Sequence, residues 1–190
     1  FARKIGFNDS SGGIAASGGT LSNLNALIAA RHNAGLSSDS NSVILISEDA
    51  HSSFIKCTRI MGLDETNLVR IKTDNKGCMD IKNLTEIIDK CSLINKKIIA
   101  IVATLGTTVR GAIDPIKDIS RICKERNIWL HIDGSIGGVF AITSIPIEGL
   151  KNVNQANSIT INPQKIIGIT KTSSLLLVSD MSTLENTFST

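Results

Sequence analysis

Ile98–Asp133 reads IIAIVATLGTTVRGAIDPIKDISRICKERNIWLHID. Two apolar, β-branched runs, IIAIVAT (Ile98–Thr104) and IWLHID (Ile128–Asp133), bracket an amphipathic segment. That segment, PIKDISRICKERN, places Pro115 at the first position of a predicted helix and sets Ile116, Ile119, Ile122 and Cys123 on one face. Runs that are apolar throughout read as strands buried on both sides. Working outward, VILIS (Val43–Ser47), SITI (Ser158–Ile161) and SLLLV (Ser174–Val178) are further strands of this kind. TLSNLNALIAARHNAG carries Leu24, Leu27, Ile28 and Arg31 at helical spacing, and DIKNLTEIIDKCSLI opens on Asp80 as an N-cap with Leu84, Ile87, Ile88 and Cys91 on one face. Strands alternating with helices predict an α/β protein: a mostly parallel sheet with helices on both faces, in one domain over residues 1–190. The chain opens at Phe1 without a Met, and the expectation is a piece of a longer protein.

Composition narrows the function classes. The chain is 42% hydrophobic and 19% charged, as in an ordinary globular protein. Aromatics are scarce and the net charge is only +3, with scattered Lys and Arg, which disfavours base-stacking nucleic-acid modules and polybasic membrane contacts. No apolar run approaches the ~20 residues of a membrane-spanning helix, and FARKIGFNDSSGG lacks the apolar core of a secretory leader. Cys57, Cys78, Cys91 and Cys123 show neither CxxC nor zinc spacing. Free thiols in a reducing cytoplasm, and no metal site, are therefore expected.

In such a sheet, ligands bind beyond the carboxyl ends of the strands, and the chemistry-bearing residues fall there. SGGTLSN (Ser17–Asn23) precedes a helix: Gly19 lets the backbone approach a ligand, and with the Thr20 and Ser22 hydroxyls it makes a phosphate cradle. A glycine turn with an N-cap is the plainer alternative. His51 follows VILIS and can stack on a planar ligand, move a proton, or simply cap a helix start. Asp133 ends its strand, before Gly134 and Ser135, either capping the turn or meeting a cationic group of a ligand. ATLGTT adds Thr107 and Thr108 at the same side of the sheet. In SITINPQKIIGITK, Lys165 has no acidic company from Ser158 to Ser179. It either snorkels to water or is held desolvated, where a neutral amine forms a Schiff base. Taken together and in this order, a phosphate cradle, a stacking His, a ring-nitrogen Asp and a Schiff-base Lys are what pyridoxal 5'-phosphate requires.

The motifs carry a family resemblance from about Gly12 to about Val178. SGGTLSNLNALIAAR is similar to the SGGTxAN helix opening of the group II pyridoxal-phosphate-dependent amino acid decarboxylases, the glutamate, aromatic-amino-acid and tyrosine decarboxylase-like family. DAHSSFIKC resembles their AHxSxxKA, ATLGTTVRGAIDPI their ATxGTTxxGxxDPI, IWLHIDGSIGG their WxHVDAAxGG, and SITINPQK their DSxxxxPHK. The resemblance implies the large, cofactor-binding domain of the aspartate-aminotransferase-type fold (fold type I), with the N-terminal segment and C-terminal small domain outside these residues. It implies pyridoxal 5'-phosphate as cofactor, a cytoplasmic homodimer with its active site near the interface, and decarboxylation of an L-amino acid to an amine and carbon dioxide. Lys165, His51 and Asp133 become the catalytic residues, and Gly19, Thr20, Ser22, His51, Thr108, Asp133, Ser135, Gln164 and Lys165 the cofactor-binding ones. Gln164 stands where the family has His, and Gly134-Ser135 where it has Ala-Ala. The family's loop tyrosine has no counterpart, since the chain contains no Tyr. Other fold-type I reactions (aldehyde lyase, cysteine desulfurase, aminotransferase) and a non-catalytic scaffold are the alternatives. The substrate's side chain is not specified by these motifs.

Overall fold

The apolar runs assemble into one seven-stranded sheet in the computed structural model, which describes residues 1–189. In chain order the elements are β1 (Gly12–Ala16), α1 (Gly19–Asn33), β2 (Val43–Ser47), α2 (Ser53–Ile60), β3 (Leu68–Ile71), α3 (Ile81–Leu93), β4 (Ile98–Thr104), α4 (Ile116–Arg126), β5 (Trp129–Gly134), β6 (Ser158–Ile161), α5 (Pro163–Ile166), β7 (Ser174–Val178) and α6 (Ser182–Phe188). The strand order is β1-β7-β6-β5-β4-β2-β3. Strands β3, β2, β4, β5 and β6 run parallel, while β7 and β1 are antiparallel additions at one edge.

Alternate residues of the central strands serve opposite faces. Val43, Leu45, Ile101 and Ala103 pack with Leu84 and Ile88 of α3 and Ile119 and Ile122 of α4. Ile44, Ile46, Ile99 and Val102 pack instead with Leu24 and Leu27 of α1 and Phe54 of α2. Helices therefore cover both faces, as the unbroken apolar runs predict. Asp80 caps α3, its side chain accepting from the Asn83 N–H at 3.0 Å. Pro115 is a correction: it lies one residue before α4, where its carbonyl accepts from the Ile119 N–H. Two strands escape the sequence reading. GGIAA of β1 is a half-exposed edge held by backbone pairing, and Gly13 is needed because a Cβ there would lie 2.3 Å from the Leu176 carbonyl oxygen. LVRI of β3 is only four residues long and half buried at the opposite edge, with Arg70 exposed.

Beyond β4 the chain turns back through Leu105–Pro115, and this return is anchored by a buried carboxylate. Asp114 is 1% exposed. Its Oδ1 accepts from the Met79 N–H and its Oδ2 from the Thr104 N–H, each at 2.7 Å. Burial pushes its carboxyl up to about 6, against the pull of the two N–H groups. Replacing Asp114 with Ala strands both donors and is expected to cost roughly 2–4 kcal/mol of unfolding free energy at pH 7. A carboxyl whose folded pKa is raised from 3.8 to about 6 stabilises the fold at low pH and loses that contribution as pH rises through about 6. The Asp114→Ala deficit should therefore be about 1 kcal/mol larger at pH 5 than at pH 7 in urea titrations.

Candidate active site

Parallel register brings the decisive residues side by side. Thr104 of β4, Asp133 of β5 and Thr160 of β6 are direct neighbours across the sheet, and one residue pair earlier Val102, His131 and Ser158 align in the same way. Asp133 and Thr104 open onto a cleft of about 250 Å³ at the carboxyl ends of the strands. The start of α1, His51, the 106–108 turn, Asn162, Gln164 and Lys165 form its other walls.

Asp133 is 5% exposed, and each of its oxygens has one hydrogen-bond donor from the protein. Its Oδ1 accepts from the Ser135 N–H, and its Oδ2 from the Asn23 side-chain amide, both at 3.1 Å. Behind it His131 is completely buried, with Nε2 3.0 Å from Asn23 Oδ1 and Nδ1 2.8 Å from Ser158 Oγ. The Ser158 oxygen also accepts from the Trp129 indole N–H at 2.9 Å. Burial holds the His131 imidazole well below the usual histidine range, outweighing the attraction of the Asp133 carboxylate, so the ring is neutral at pH 7. Thr104 and Thr160, flanking Asp133, carry buried hydroxyls with no hydrogen-bond partner among the described residues.

The first turn of α1 faces the same cleft. No side chain caps this helix start, so its leading N–H groups at Gly19 and Thr20 lack intrahelical acceptors. A Cβ on Gly19 would stand 2.6 Å from Asn162 Nδ2 and 2.8 Å from Ser135 Oγ, so glycine keeps the cradle open. Thr20 is exposed at its rim. Ser22 is a correction: helical rotation turns it away from the cleft, fully buried, with its hydroxyl 2.8 Å from Ser174 Oγ. There it joins α1 to β7.

The remaining expected residues lie around the lip. His51 is exposed and lines the cleft while its Nδ1 accepts from the Ser53 N–H at 3.1 Å, so the same ring also caps α2. Thr108 lines the cleft, whereas the Thr107 hydroxyl is occupied by the Ala112 N–H at 3.0 Å. Gln164 reaches the cleft, with its Oε1 accepting from the Ser173 N–H at 2.7 Å. Lys165, on the single turn of α5, lines the cleft but is exposed, and a desolvated lysine is not what this chain holds. Its apolar companions Ile166, Ile167 and Ile169 are themselves 45–52% exposed, because the segment after Pro163 stands off the sheet and sequence neighbours there do not enclose a side chain. Asn23, Asn162 and Thr104 are participants that sequence reading passes over. Asn23 carried one signal: an amide amid the apolar positions of a helix, where Asn is a poor former.

A family model described as the pyridoxal-dependent decarboxylase conserved domain matches residues 2–190. The chain is 32% identical over 162 residues to an aromatic-L-amino-acid decarboxylase of Bacillus atrophaeus, covering 85% of this chain and 34% of that protein. It is 33% identical over 190 residues to an L-aspartate decarboxylase of Metarhizium robertsii, covering 95% and 38%. Among solved structures, the glutamate decarboxylase domain of the diaminobutyrate-pyruvate transaminase and L-2,4-diaminobutyrate decarboxylase from Vibrio parahaemolyticus matches with a TM-score of 0.91 at 30% identity, over 97% of this chain and 43% of that one. A Catharanthus roseus tryptophan decarboxylase in complex with L-tryptophan also scores 0.91, at 25% identity over 100% and 43%. The chain spans little more than a third of the length of these curated relatives.

The buried imidazole has a thermodynamic signature. The folded protein resists a proton that the unfolded chain accepts below about 6.5, so His131 lowers stability as pH falls through that value, by up to about 1.4 kcal/mol per pH unit. His131→Gln removes the titration while keeping an amide donor toward Asn23. Urea unfolding at pH 7 and pH 5 should then show a smaller acid loss attributable to this site in the variant than in the wild type; equal losses would place the acid sensitivity elsewhere.

Proposed function

Because the chain belongs to the pyridoxal-dependent decarboxylase family, we propose that residues 1–190 form the large cofactor-binding domain of an enzyme that decarboxylates an L-amino acid to its amine. The observation that carries this reading is one cleft walled by the Lys165 amine, the Asp133 carboxylate, the His51 ring and the uncapped start of α1. Its donor set fits pyridoxal 5'-phosphate. Free N–H groups at a helix start suit a phosphate dianion, a buried acceptor suits a protonated ring nitrogen, and an amine suits an aldehyde. The unpartnered Thr104 hydroxyl in the cleft wall is a further polar group for a ligand to satisfy.

Gly19 and Thr20 would hold the phosphate, Asp133 the ring nitrogen and Lys165 the aldehyde carbon, with Thr108, Ser135 and Gln164 supporting at the wall. When bound, the cofactor supplies an electron sink for the pair released as the bond between Cα and the carboxylate breaks. Asp133 would meet the ring's positive charge with a carboxylate that Asn23 and Ser135 keep in one orientation. His51 presents its Nε2–H at the lip, since Nδ1 is taken by the Ser53 N–H, and would offer a fixed donor to a ligand held in the cleft. Lys165, exposed on the single turn of α5, would supply the amine that engages the cofactor's aldehyde.

The enzyme is read as a cytoplasmic homodimer. Support comes from the exposed apolar residues around the cleft, with Val109 94% exposed and Ile166, Ile167 and Ile169 beside Lys165, which a second copy would cover and which would then enclose the lysine. All four cysteines are free, as suits a reducing compartment. Among the described residues no helix is long and apolar enough to cross a membrane. Aromatic and acidic L-amino acids, the classes named in the relatives, are the first substrates to screen.

The test is absorbance of the cofactor-saturated protein before and after borohydride, with Lys165→Ala alongside. The wild type is expected to show a visible band that borohydride removes and the variant lacks. Carbon dioxide release from the accepted amino acid should fall roughly a thousandfold or more in the variant. A folded, saturated wild type without that band would overturn the cofactor reading.

A further inference from the structure

Beneath the cleft floor the hydrogen bonds around His131 have a direction, and each bond fixes the next. A carboxylate only accepts, so Asn23 must turn Nδ2 to Asp133 and Oδ1 to His131. That oxygen also only accepts, so His131 carries its hydrogen on Nε2. In the neutral ring Nδ1 is then an acceptor, filled by the Ser158 hydroxyl, whose oxygen in turn accepts from the Trp129 indole. Every donor from Trp129 onward points toward Asp133. Asn23, His131 and Ser158 are at most 1% exposed, so water does not interrupt the line. Bonds aligned head to tail in a poorly screened interior polarise one another and strengthen the last one.

The placement has a purpose that packing alone does not require. His131 and Asp133 share a sheet face because they are two residues apart on β5. Asn23 lies one helical turn after Gly19, so the turn of α1 that faces the cleft with free N–H groups also grips Asp133. One rigid element thus spans both polar ends of the cleft.

We propose that Asn23 and His131 are positioning residues for Asp133: the one-way line of donors from Trp129 holds that carboxylate toward the cleft as the acceptor for the ring nitrogen of pyridoxal phosphate. This rests on the cofactor reading above. Neither residue needs to touch the cofactor; they act through Asp133.

The test measures binding to the cofactor-free protein by equilibrium dialysis, using pyridoxal phosphate and its carbocyclic analogue in which a C–H replaces the ring nitrogen. Asn23→Ala, His131→Leu and His131→Gln are compared with wild type, with thermal melts to establish folding. Asn23→Ala and His131→Leu should weaken pyridoxal phosphate binding about ten- to hundredfold and analogue binding less than about threefold, the selective loss expected when a bond to a charged group is disturbed. His131→Gln, which keeps a donor toward Asn23, should stay near wild type. If His131→Leu does not fold, Asn23→Ala against His131→Gln decides the matter. Equal losses for both ligands, or no loss, overturn the positioning role while leaving the cofactor reading intact. A wild type that binds neither ligand overturns both.

Discussion

Central strands buried on both faces constrain everything else in this molecule. Where β4, β5 and β6 run parallel between two helical layers, a polar side chain within the strands has no water to turn to and must find partners. Polar residues therefore collect where the strands end, and parallel direction makes several strands end together. Register then does what no single motif can: it sets Thr104, Asp133 and Thr160 abreast, from segments far apart in the chain. The return through Asp114 reinforces this edge from the other side, because its carboxylate receives the Thr104 N–H at the tip of β4.

The cleft divides into a fixed part and a loose part. Asp133, Asn23, His131 and Asn162 are buried, and each side chain has hydrogen-bond partners within the protein. Lys165, His51, Thr20 and Thr108 are exposed around them. The Asp133 carboxylate is held where the interior restricts movement, and the Lys165 amine sits exposed at the lip. Cys57, close to the Thr20 carbonyl, does not add a second nucleophile, since burial pushes its thiol up to about 11.

Much of this was legible in the residues. The unbroken apolar runs announced β2, β4, β5, β6 and β7, since buried strands need no polar alternation, and Asp80 announced the start of α3. The edge strands were not legible because their stability lies in backbone pairing, which leaves little trace in side chains. Gly19, His51, Asp133, Gln164 and Lys165, singled out from strand ends and motifs, all line one cleft. Ser22 misled because a motif does not say which way a helix turns each residue. Lys165 misled in its surroundings because apolar neighbours in sequence are not neighbours in space on a projecting turn. Asn23 gave only the faint signal of an amide among apolar helix positions, and the role of His131 could not be read at all, because each is fixed by the other across 108 positions of chain.

The segment bearing Lys165 leaves the sheet and returns to it at nearly one point. Asn162 Oδ1 accepts from the Ser174 hydroxyl at 2.5 Å, Gln164 Oε1 from the Ser173 N–H, and Ser174 lies against Ser22 of α1. The ends of this excursion are thus stapled independently of what lies between them. For a flexible loop whose ends are already fixed, doubling the length costs only about 0.6 kcal/mol. Residues 166–172 can therefore change in number and kind with little consequence for the sheet, while the charge-holding floor cannot. The architecture separates a stretch whose length the sheet tolerates from a floor whose side chains hold one another, and the boundary between the two runs through Gln164 and Ser173.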